Sequence, residues 1–255
     1  MTQDFSRKEF EFLESFAVLL RAKTIIEIGV QKGDSALYLC RAAQKNKGKY
    51  LGFDIWDTHG LKKQFNTCGS AESVADFLIK KGFRCFKLIQ IDTNRNREVF
   101  EQVLDESCKD GIDFAFVDAC HSYYGIFNDF FSLYPRLSTT GVVIFHDTLN
   151  TDGCREFMLD LRTKYHDGTF DLIDLPYGYG DVRCGISILS KRSFSNLQLG
   201  ITEICGSIST PQKIEFRELK WNRHEKRKGI LIPTIKEEDM KSINVGVYPN
   251  RKKFK

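Results

Sequence analysis

The spacing of apolar residues along the chain first follows a helical period and then changes to that of strands. After Ser6, apolar residues recur at helical intervals, and Ser6-x-x-Glu9 has the spacing of a capping box, so we expect an amphipathic helix over residues 7–22. From Thr24 onward, short runs rich in β-branched and aromatic residues are typical of strands that are covered on both faces. Five such runs lie at residues 24–30, 49–54, 86–92, 113–119 and 141–147.

Helical patterns separate these runs and predict the fold class. Alternating strands and helices are typical of an α/β, doubly wound, mostly parallel sheet with crossover helices. Two further strands are predicted at residues 170–175 and 185–190, and the turn-rich segment PYGYGDVRC between them suits a closing antiparallel hairpin, which gives seven strands in all. Helices are predicted at residues 35–45, 71–81, 123–134 and 153–165, with one more marked by Val99, Phe100, Val103 and Leu104.

The periodicity ends near residue 193 and divides the chain into two parts. We expect one domain over residues 1–193, including the amino-terminal helix, and a basic extension over residues 194–255 without clear periodicity. Residues 211–255 contain 13 Lys and Arg against 6 Asp and Glu, so the net charge of +4 belongs to this extension. A basic segment can approach nucleic acid, an anionic glycan or a membrane surface, although such runs are more often solvated faces.

Composition favours a globular protein that is not exported. Hydrophobic residues make up 42% of the chain, and 21 of its residues are Phe, which is enough for a packed core. Charges occupy the amino terminus where a secretory signal needs apolar residues, and no apolar run approaches the ~18 residues of a membrane span. The eight cysteines form no C-x-x-C pair, which is typical of reduced thiols. We expect a soluble, cytoplasmic protein, and a homo-oligomer is compatible with this sequence.

The stretch EIGVQKGDS, residues 27–35, follows the first predicted strand and has the features of a ligand-binding turn. Gly29 and Gly33 permit close backbone approach or positive φ, while Asp34 and Ser35 can cap the next helix, whose amide dipoles then favour an anionic group. Gln31 occupies the place of the second glycine in the dinucleotide pattern G-x-G-x-x-G, so a pyrophosphate fits poorly. Glu27 would attract a cationic group, and a zwitterionic ligand therefore fits better.

Acidic residues at the ends of the next strands extend this site. Asp54 ends the second predicted strand, where a carboxylate can accept hydrogen bonds from both hydroxyls of a ribose. A nucleoside with an amino acid head is S-adenosylmethionine, and E-I-G-x-x-x-G followed by G-x-D resembles the class I S-adenosylmethionine-dependent methyltransferases. This resemblance places Asp92, at the end of the third strand, beside the adenine. The glycine turn alone would also fit a purely structural role.

A second group of polar residues follows the fourth and fifth strands. Asp118 ends the fourth, and His146 and Asp147 end the fifth, so the three converge on one edge of the sheet. Buried carboxylates cost several kcal/mol unless they are paired or bind metal, and two brought together suggest a divalent cation. The alternative is that hydrogen-bonded carboxylates cap the following helices.

The motif D-x-x-H-x-Y at residues 118–123, with a later strand that ends in His-Asp, is similar to metal-dependent sugar O-methyltransferases of macrolide biosynthesis and of polysaccharide-associated enzymes. The similarity covers about residues 20–190. It implies that Asp118 and Asp147 bind the metal with His146 as a third ligand, and that Asp118 and His121 form the catalytic pair, with His121 as general base. Relatives often have a carboxylate or carboxamide in place of His146, and a nitrogen donor makes manganese or iron as fitting as magnesium.

We therefore expect an S-adenosylmethionine-dependent O-methyltransferase that uses a divalent cation, Mg or Mn, and acts on a sugar hydroxyl in a glycan, a nucleotide sugar or a natural product. A small catechol-like acceptor would use the same chelation. A non-catalytic module that binds RNA or an anionic polymer through Trp221 and His224 is a third alternative, although the extension lacks the interleaved aromatic residues of nucleic-acid binders. Gln31 disfavours a nicotinamide-dependent oxidoreductase.

Overall fold

The structure is a computed structural model that describes residues 2–56, 69–176 and 184–192. Residues 57–68, residues 177–183 of the predicted hairpin turn and the whole predicted extension over 194–255 lie outside this part of the chain. The division of the chain into a domain over 1–193 and a basic extension remains a prediction.

The described residues form one seven-stranded sheet with the strand order β3-β2-β1-β4-β5-β7-β6. The pairs formed by β1 to β5 are parallel, whereas β7 pairs with β5 and β6 in antiparallel orientation. This confirms the predicted doubly wound sheet and its closing hairpin. The strands are β1 Thr24–Ile28, β2 Lys49–Asp54, β3 Phe86–Gln90, β4 Ile112–Val117, β5 Leu137–His146, β6 Phe170–Leu175 and β7 Ile186–Lys191.

Six α-helices flank the sheet in the described residues, and a short 3-10 turn at Tyr134–Arg136 leads into β5. Their number and order follow the predicted alternation, which indicates that the apolar spacing set both. The central strands β1 and β4 are buried along almost their whole length, as continuous apolar runs require. The helices are α1 Thr2–Leu19, α2 Asp34–Lys45, α3 Ala71–Lys80, α4 Arg97–Ser107, α5 Tyr123–Leu133 and α6 Asp152–Thr163.

The amino-terminal helix differs from its prediction at both ends. It begins at Thr2, so Ser6 and Glu9 lie inside the helix and the predicted capping box is wrong. It ends at Leu19 because Arg21 adopts a left-handed φ of 54°, and the N–H of Ala22 bonds to the carbonyl of Ala17 at 3.0 Å, as in a Schellman motif. Helix α1 then packs on α2, and Leu13 and Ala17 are fully buried between them and the sheet.

The parallel strands bring their carboxyl ends to one edge of the sheet. The turn after β1 therefore lies between Asp54, which ends β2, and Asp118, which follows β4. His146, the last residue of β5, lies one strand further along. No helix in the described part of the chain is both long and apolar enough to cross a bilayer.

Candidate active site

The turn after β1 is built on backbone rather than on side-chain caps. Gly29 and Gly33 have φ of +101° and +87°, values that glycine adopts without steric cost. Gly33 is the cap residue of α2 and makes no side-chain bond, Asp34 is exposed, and Ser35 is buried. The prediction that Asp34 and Ser35 cap the helix is therefore wrong, because Asp34 is its first helical residue and the Ser35 hydroxyl donates to Glu27.

Glu27 is enclosed at the base of this turn. Its side chain is fully buried, and its two carboxyl oxygens accept hydrogen bonds from the hydroxyls of Ser35 and Tyr50. Burial raises the pKa of Glu27 to about 8, although both hydrogen bonds act in the opposite direction. The carboxyl group is therefore mostly neutral near pH 7, which differs from the cation-attracting carboxylate that the sequence suggested. Through its hydrogen bonds with Ser35 and Tyr50, Glu27 connects β1 to α2 and to β2.

Asp54 joins the turn after β1 to the end of β2. Its Oδ2 accepts the N–H of Gln31 at 2.8 Å, and its Oδ1 accepts the N–H of Trp56 at 2.6 Å. The indole of Trp56 donates to the carbonyl of Gln31 at 3.0 Å, so the three residues form a closed ring of contacts. A carboxylate oxygen has two acceptor sites, and each oxygen of Asp54 keeps one for a ligand hydroxyl.

Asp92 and Thr93 shape the loop after β3. Asp92 Oδ1 accepts the N–H groups of Asn94 and Arg95, both at 3.0 Å. The buried Thr93 donates to Asp129 Oδ1 at 2.7 Å, and burial raises the pKa of Asp129 to about 7. Within the described ranges the contacts of Asp129 include no ion pair. The loop is therefore held by hydrogen bonds to two carboxyl groups.

The predicted convergence of residues after β4 and β5 is present. Asp118, His121, His146 and Asp147 each offer one ligand-type atom, and these atoms all lie within 4.8 Å of one another. Asp118 Oδ1 is 3.2 Å from His121 Nε2 and 3.0 Å from His146 Nδ1. Asp147 reaches the same histidines, with Oδ2 3.6 Å from His121 Nε2 and Oδ1 3.5 Å from His146 Nδ1. The two aspartates therefore share two histidines.

Electrostatics hold this cluster in its charged form. Burial pushes the pKa of Asp118 up, but the charge of His146 and hydrogen bonds from both histidines outweigh it and lower the pKa to about 2. Burial pushes the pKa of each histidine down, and the neighbouring carboxylates outweigh it, raising the pKa of His146 to about 12 and that of His121 above its usual range. Opposite charges therefore compensate each other within the cluster.

A third carboxylate contacts the cluster from helix α1, and sequence reasoning missed it. Glu9 is 2% exposed, and its Oε1 lies 3.0 Å from His146 Nε2. The helical spacing of the sequence could have indicated that Glu9 is buried, because Glu9 lies one helical turn before the buried Leu13 and thus on the apolar face of α1. The predicted capping box instead placed Glu9 at the start of the helix, where a glutamate is normally exposed.

The donor set fits a divalent cation. Carboxylate oxygens from Asp118 and Asp147 and imidazole nitrogen from His146 converge, which is a mixed oxygen and nitrogen set suited to manganese, iron or zinc as well as magnesium. Ligands bind a metal in their deprotonated form, so the histidine protons would leave when a cation enters. His121 lies beside the same two carboxylates and is partly exposed.

Comparison with known proteins agrees with the fold. Residues 26–148 match the family model described as "Methyltransferase domain", and this span runs from β1 to the residue after Asp147. Residues 26–148 are therefore similar to a methyltransferase domain. A catechol O-methyltransferase from Niastella koreensis is 27% identical over 148 residues, which are 58% of this chain and 59% of that protein. The match thus spans less than two thirds of the relative's length.

Solved structures share the fold of this domain. The O-methyltransferase TomG from Streptomyces achromogenes, involved in tomaymycin synthesis and solved with S-adenosylmethionine, has a TM-score of 0.57 and 19% identity, covering 72% of this chain and 80% of that chain. An O-methyltransferase from Bacillus cereus, solved with S-adenosylhomocysteine, has a TM-score of 0.56 and 14% identity, covering 72% and 81%. At these identities the likeness establishes the Rossmann-like methyltransferase fold.

Proposed function

We propose that the chain transfers the methyl group of S-adenosylmethionine to a hydroxyl oxygen, with a divalent cation held by Asp118, Asp147 and His146. The observation that supports this most is the cluster of two aspartates and two histidines beside the turn after β1. The backbone N–H of Asp118 bonds to the carbonyl of Ile28 at 2.9 Å, so the cluster and the turn are directly joined.

The cofactor occupies the turn after β1 and the ends of β2 and β3. Gly29 and Gly33 bring the backbone close to its amino acid portion, and the exposed Asp34 lies at the start of α2 beside it. Asp54 accepts the ribose hydroxyls through its remaining acceptor sites, and Asp92 positions the loop near the adenine. Glu27 and Ser35 act indirectly, because their mutual hydrogen bond fixes the turn from below.

The reaction needs a hydroxyl oxygen that is deprotonated and aligned with the methyl group. A bound divalent cation lowers the pKa of a coordinated hydroxyl and holds it in place. A cation bound by the aspartates would compensate the charges that raise the pKa of His121, so its imidazole would be neutral in the loaded protein. His121 would then accept the hydroxyl proton, because its Nε2 lies between the two aspartates and its ring is partly exposed. Asp118 keeps His121 oriented through the contact at 3.2 Å.

The acceptor is a molecule that presents two adjacent oxygens to one cation, and a sugar is the first candidate. The motif D-x-x-H-x-Y at residues 118–123 supports the sugar. The catechol O-methyltransferase relative supports a catechol as the second candidate, since its two hydroxyls chelate in the same way. Both acceptor classes use the same residues, so only transfer assays distinguish them.

The decisive experiment measures transfer of a labelled methyl group from S-adenosylmethionine to panels of sugars, nucleotide sugars, glycans and catechols. We expect product from one acceptor class, dependent on added Mn²⁺ or Mg²⁺ and strongly reduced with Asp118→Asn. Transfer that persists without any divalent cation would contradict the metal-dependent scheme. Binding of S-adenosylhomocysteine without transfer to any acceptor, at all cation concentrations, would instead favour a non-catalytic binding module.

A further inference from the structure

The carboxylate of Glu9 lies on the side of the His146 ring that faces away from the two aspartates. His146 Nδ1 is 3.0 Å from Asp118 Oδ1 and 3.5 Å from Asp147 Oδ1, whereas its Nε2 is 3.0 Å from Glu9 Oε1. Glu9 is therefore outside the set of atoms that can share one cation. Within the described ranges, Glu9 Oε1 has no hydrogen-bond partner, and the ion pair with His146 is its polar contact.

Helix packing fixes Glu9 in this position. Leu13 and Ala17 follow at intervals of four residues on the same face of α1, and both are fully buried in the main core cluster. A carboxylate that is 2% exposed costs several kcal/mol unless a partner compensates its charge. Among the described residues, the ion pair that compensates the buried Glu9 carboxylate is the one with His146, so the burial of Glu9 acts on this histidine.

We propose that Glu9 is a positioning residue that holds His146 through Nε2, so that Nδ1 faces Asp118 and Asp147 as a ligand atom. The inference rests on the proposed metal site. A carboxylate beside one imidazole nitrogen favours a proton on that nitrogen, because its oxygen attracts the N–H group and repels a lone pair. Glu9 therefore retains the proton on Nε2 and leaves the Nδ1 lone pair for the cation. The ring of Phe116, 6.2 Å from the ring of His146 and edge-on to it, limits rotation of the imidazole.

The test compares Glu9→Met, which keeps the length of the side chain and removes the acceptor, with Glu9→Gln, which keeps one acceptor oxygen. The control is Glu14→Gln, because Glu14 lies on the same helix but pairs with Lys45 of α2 at 2.6 Å. The full chain is titrated with Mn²⁺ and followed by electron paramagnetic resonance, while calorimetry measures affinity for S-adenosylhomocysteine. Nitrogen-15 spectra of the Zn²⁺-loaded protein report the tautomer of His146.

We expect Mn²⁺ affinity to fall roughly 10–100-fold in Glu9→Met, as is typical when the carboxylate partner of a ligating histidine is removed. Glu9→Gln should lose less, Glu14→Gln should bind Mn²⁺ as the parent does, and all three should bind S-adenosylhomocysteine normally. In the parent protein the proton should be on Nε2, and in Glu9→Met the two tautomers should mix.

Two outcomes overturn the inference. One is an unchanged Mn²⁺ affinity together with an unchanged tautomer in Glu9→Met, and the other is an equal loss in Glu14→Gln, which would indicate a general effect of loosening α1. If Glu9→Met does not fold, Glu9→Gln provides both measurements. Failure of the proposed function is distinguishable, because the parent protein would then bind no Mn²⁺.

Discussion

Gly29 lies so close to Asp118 that no side chain fits between them: a Cβ atom on Gly29 would be 2.2 Å from the carbonyl oxygen of Asp118. The same atom would be 2.9 Å from the backbone nitrogen of Ala119. These neighbours are backbone atoms, which cannot rotate away. Gly29 therefore serves two sites at once, because its φ of +101° forms the turn after β1 and its missing side chain lets β4 deliver Asp118 to the cluster.

The substitution Gly29→Ala should destabilise the domain and disrupt both sites. A residue with a side chain in a left-handed conformation costs about 1–2 kcal/mol, and forcing a methyl group into a packed site costs a further ~1–3 kcal/mol. Urea unfolding measures the free energy, and calorimetry measures affinity for S-adenosylhomocysteine. We expect Gly29→Ala to lower both the free energy of unfolding and the affinity for S-adenosylhomocysteine.

Gly82→Ala is the matched control for this change. Gly82 has a similar φ of +89°, but a Cβ there would meet no atom within 4 Å. Gly82→Ala should therefore lower the free energy of unfolding only by the backbone strain, and it should leave the affinity for S-adenosylhomocysteine unchanged. An equal loss of unfolding free energy in the two alanine variants would show that the close approach of Gly29 to Asp118 does not affect stability.

The sequence predicted the position of the cluster because chain order and strand polarity decide it. Asp118 and Asp147 follow neighbouring parallel strands, so their meeting requires only that the apolar runs be recognised as strands. The side-chain partners within the turn after β1 were not predictable in this way. Ser35 can cap α2 or bond to Glu27, and the choice depends on how α2 is rotated against β1.

The contact between Glu9 and His146 could not be derived from the sequence, for the same physical reason. Local spacing favoured a capping box, yet α1 already begins at Thr2. Glu9 then became an interior residue of α1, next to a histidine that is 137 positions away in sequence. Such contacts depend on tertiary packing, which overrides the local capping preference.

Substitution of Asp118 should impair methyl transfer, whereas substitution of Asp54 should impair cofactor binding. Asp118→Asn keeps the size of the side chain but removes the charge that orients both histidines, so transfer should fall by roughly 10²–10⁴-fold. Affinity for S-adenosylhomocysteine should change little, because Asp118 lies beyond the turn after β1. The measurements are initial rates of methyl transfer and calorimetric binding of S-adenosylhomocysteine.

Asp54→Asn should produce the opposite pattern. An asparagine cannot accept the N–H groups of both Gln31 and Trp56 and still receive ribose hydroxyls on two oxygens. Loss of a hydrogen bond to a charged group typically costs about 1.5–3 kcal/mol, so affinity for S-adenosylhomocysteine should fall roughly 10–100-fold. A large drop in affinity for Asp118→Asn would refute the assignment of these two aspartates to separate tasks.

Removal of divalent cations should abolish transfer reversibly. After exhaustive chelation and desalting, we expect no methylated product, and titration with Mn²⁺ should restore activity at lower concentration than Mg²⁺, because imidazole nitrogen from His146 suits manganese better. S-adenosylhomocysteine should bind equally before and after chelation. Full activity in the chelated protein would exclude a catalytic cation.

Glu27 should make stability depend on pH in a defined direction. Its pKa is about 8 in the folded protein, compared with an ordinary value of 4.5, so folding takes up a proton between these values. The stabilising contribution of the protonated carboxyl is therefore fully present below about pH 4.5 and is lost as pH rises through about 8. Glu27→Gln does not titrate and provides the reference.

The measurement is the free energy of unfolding in urea for both proteins between about pH 5 and pH 9. The difference between parent and Glu27→Gln should decline by at most about 1.4 kcal/mol per pH unit and then level off above pH ~8. Tyr50→Phe removes a hydrogen bond that favours the ionised carboxylate, so the decline should extend to higher pH. A difference that stays constant over the whole range would mean that Glu27 remains ionised inside the fold, close enough to the turn after β1 to meet the cationic group of a ligand.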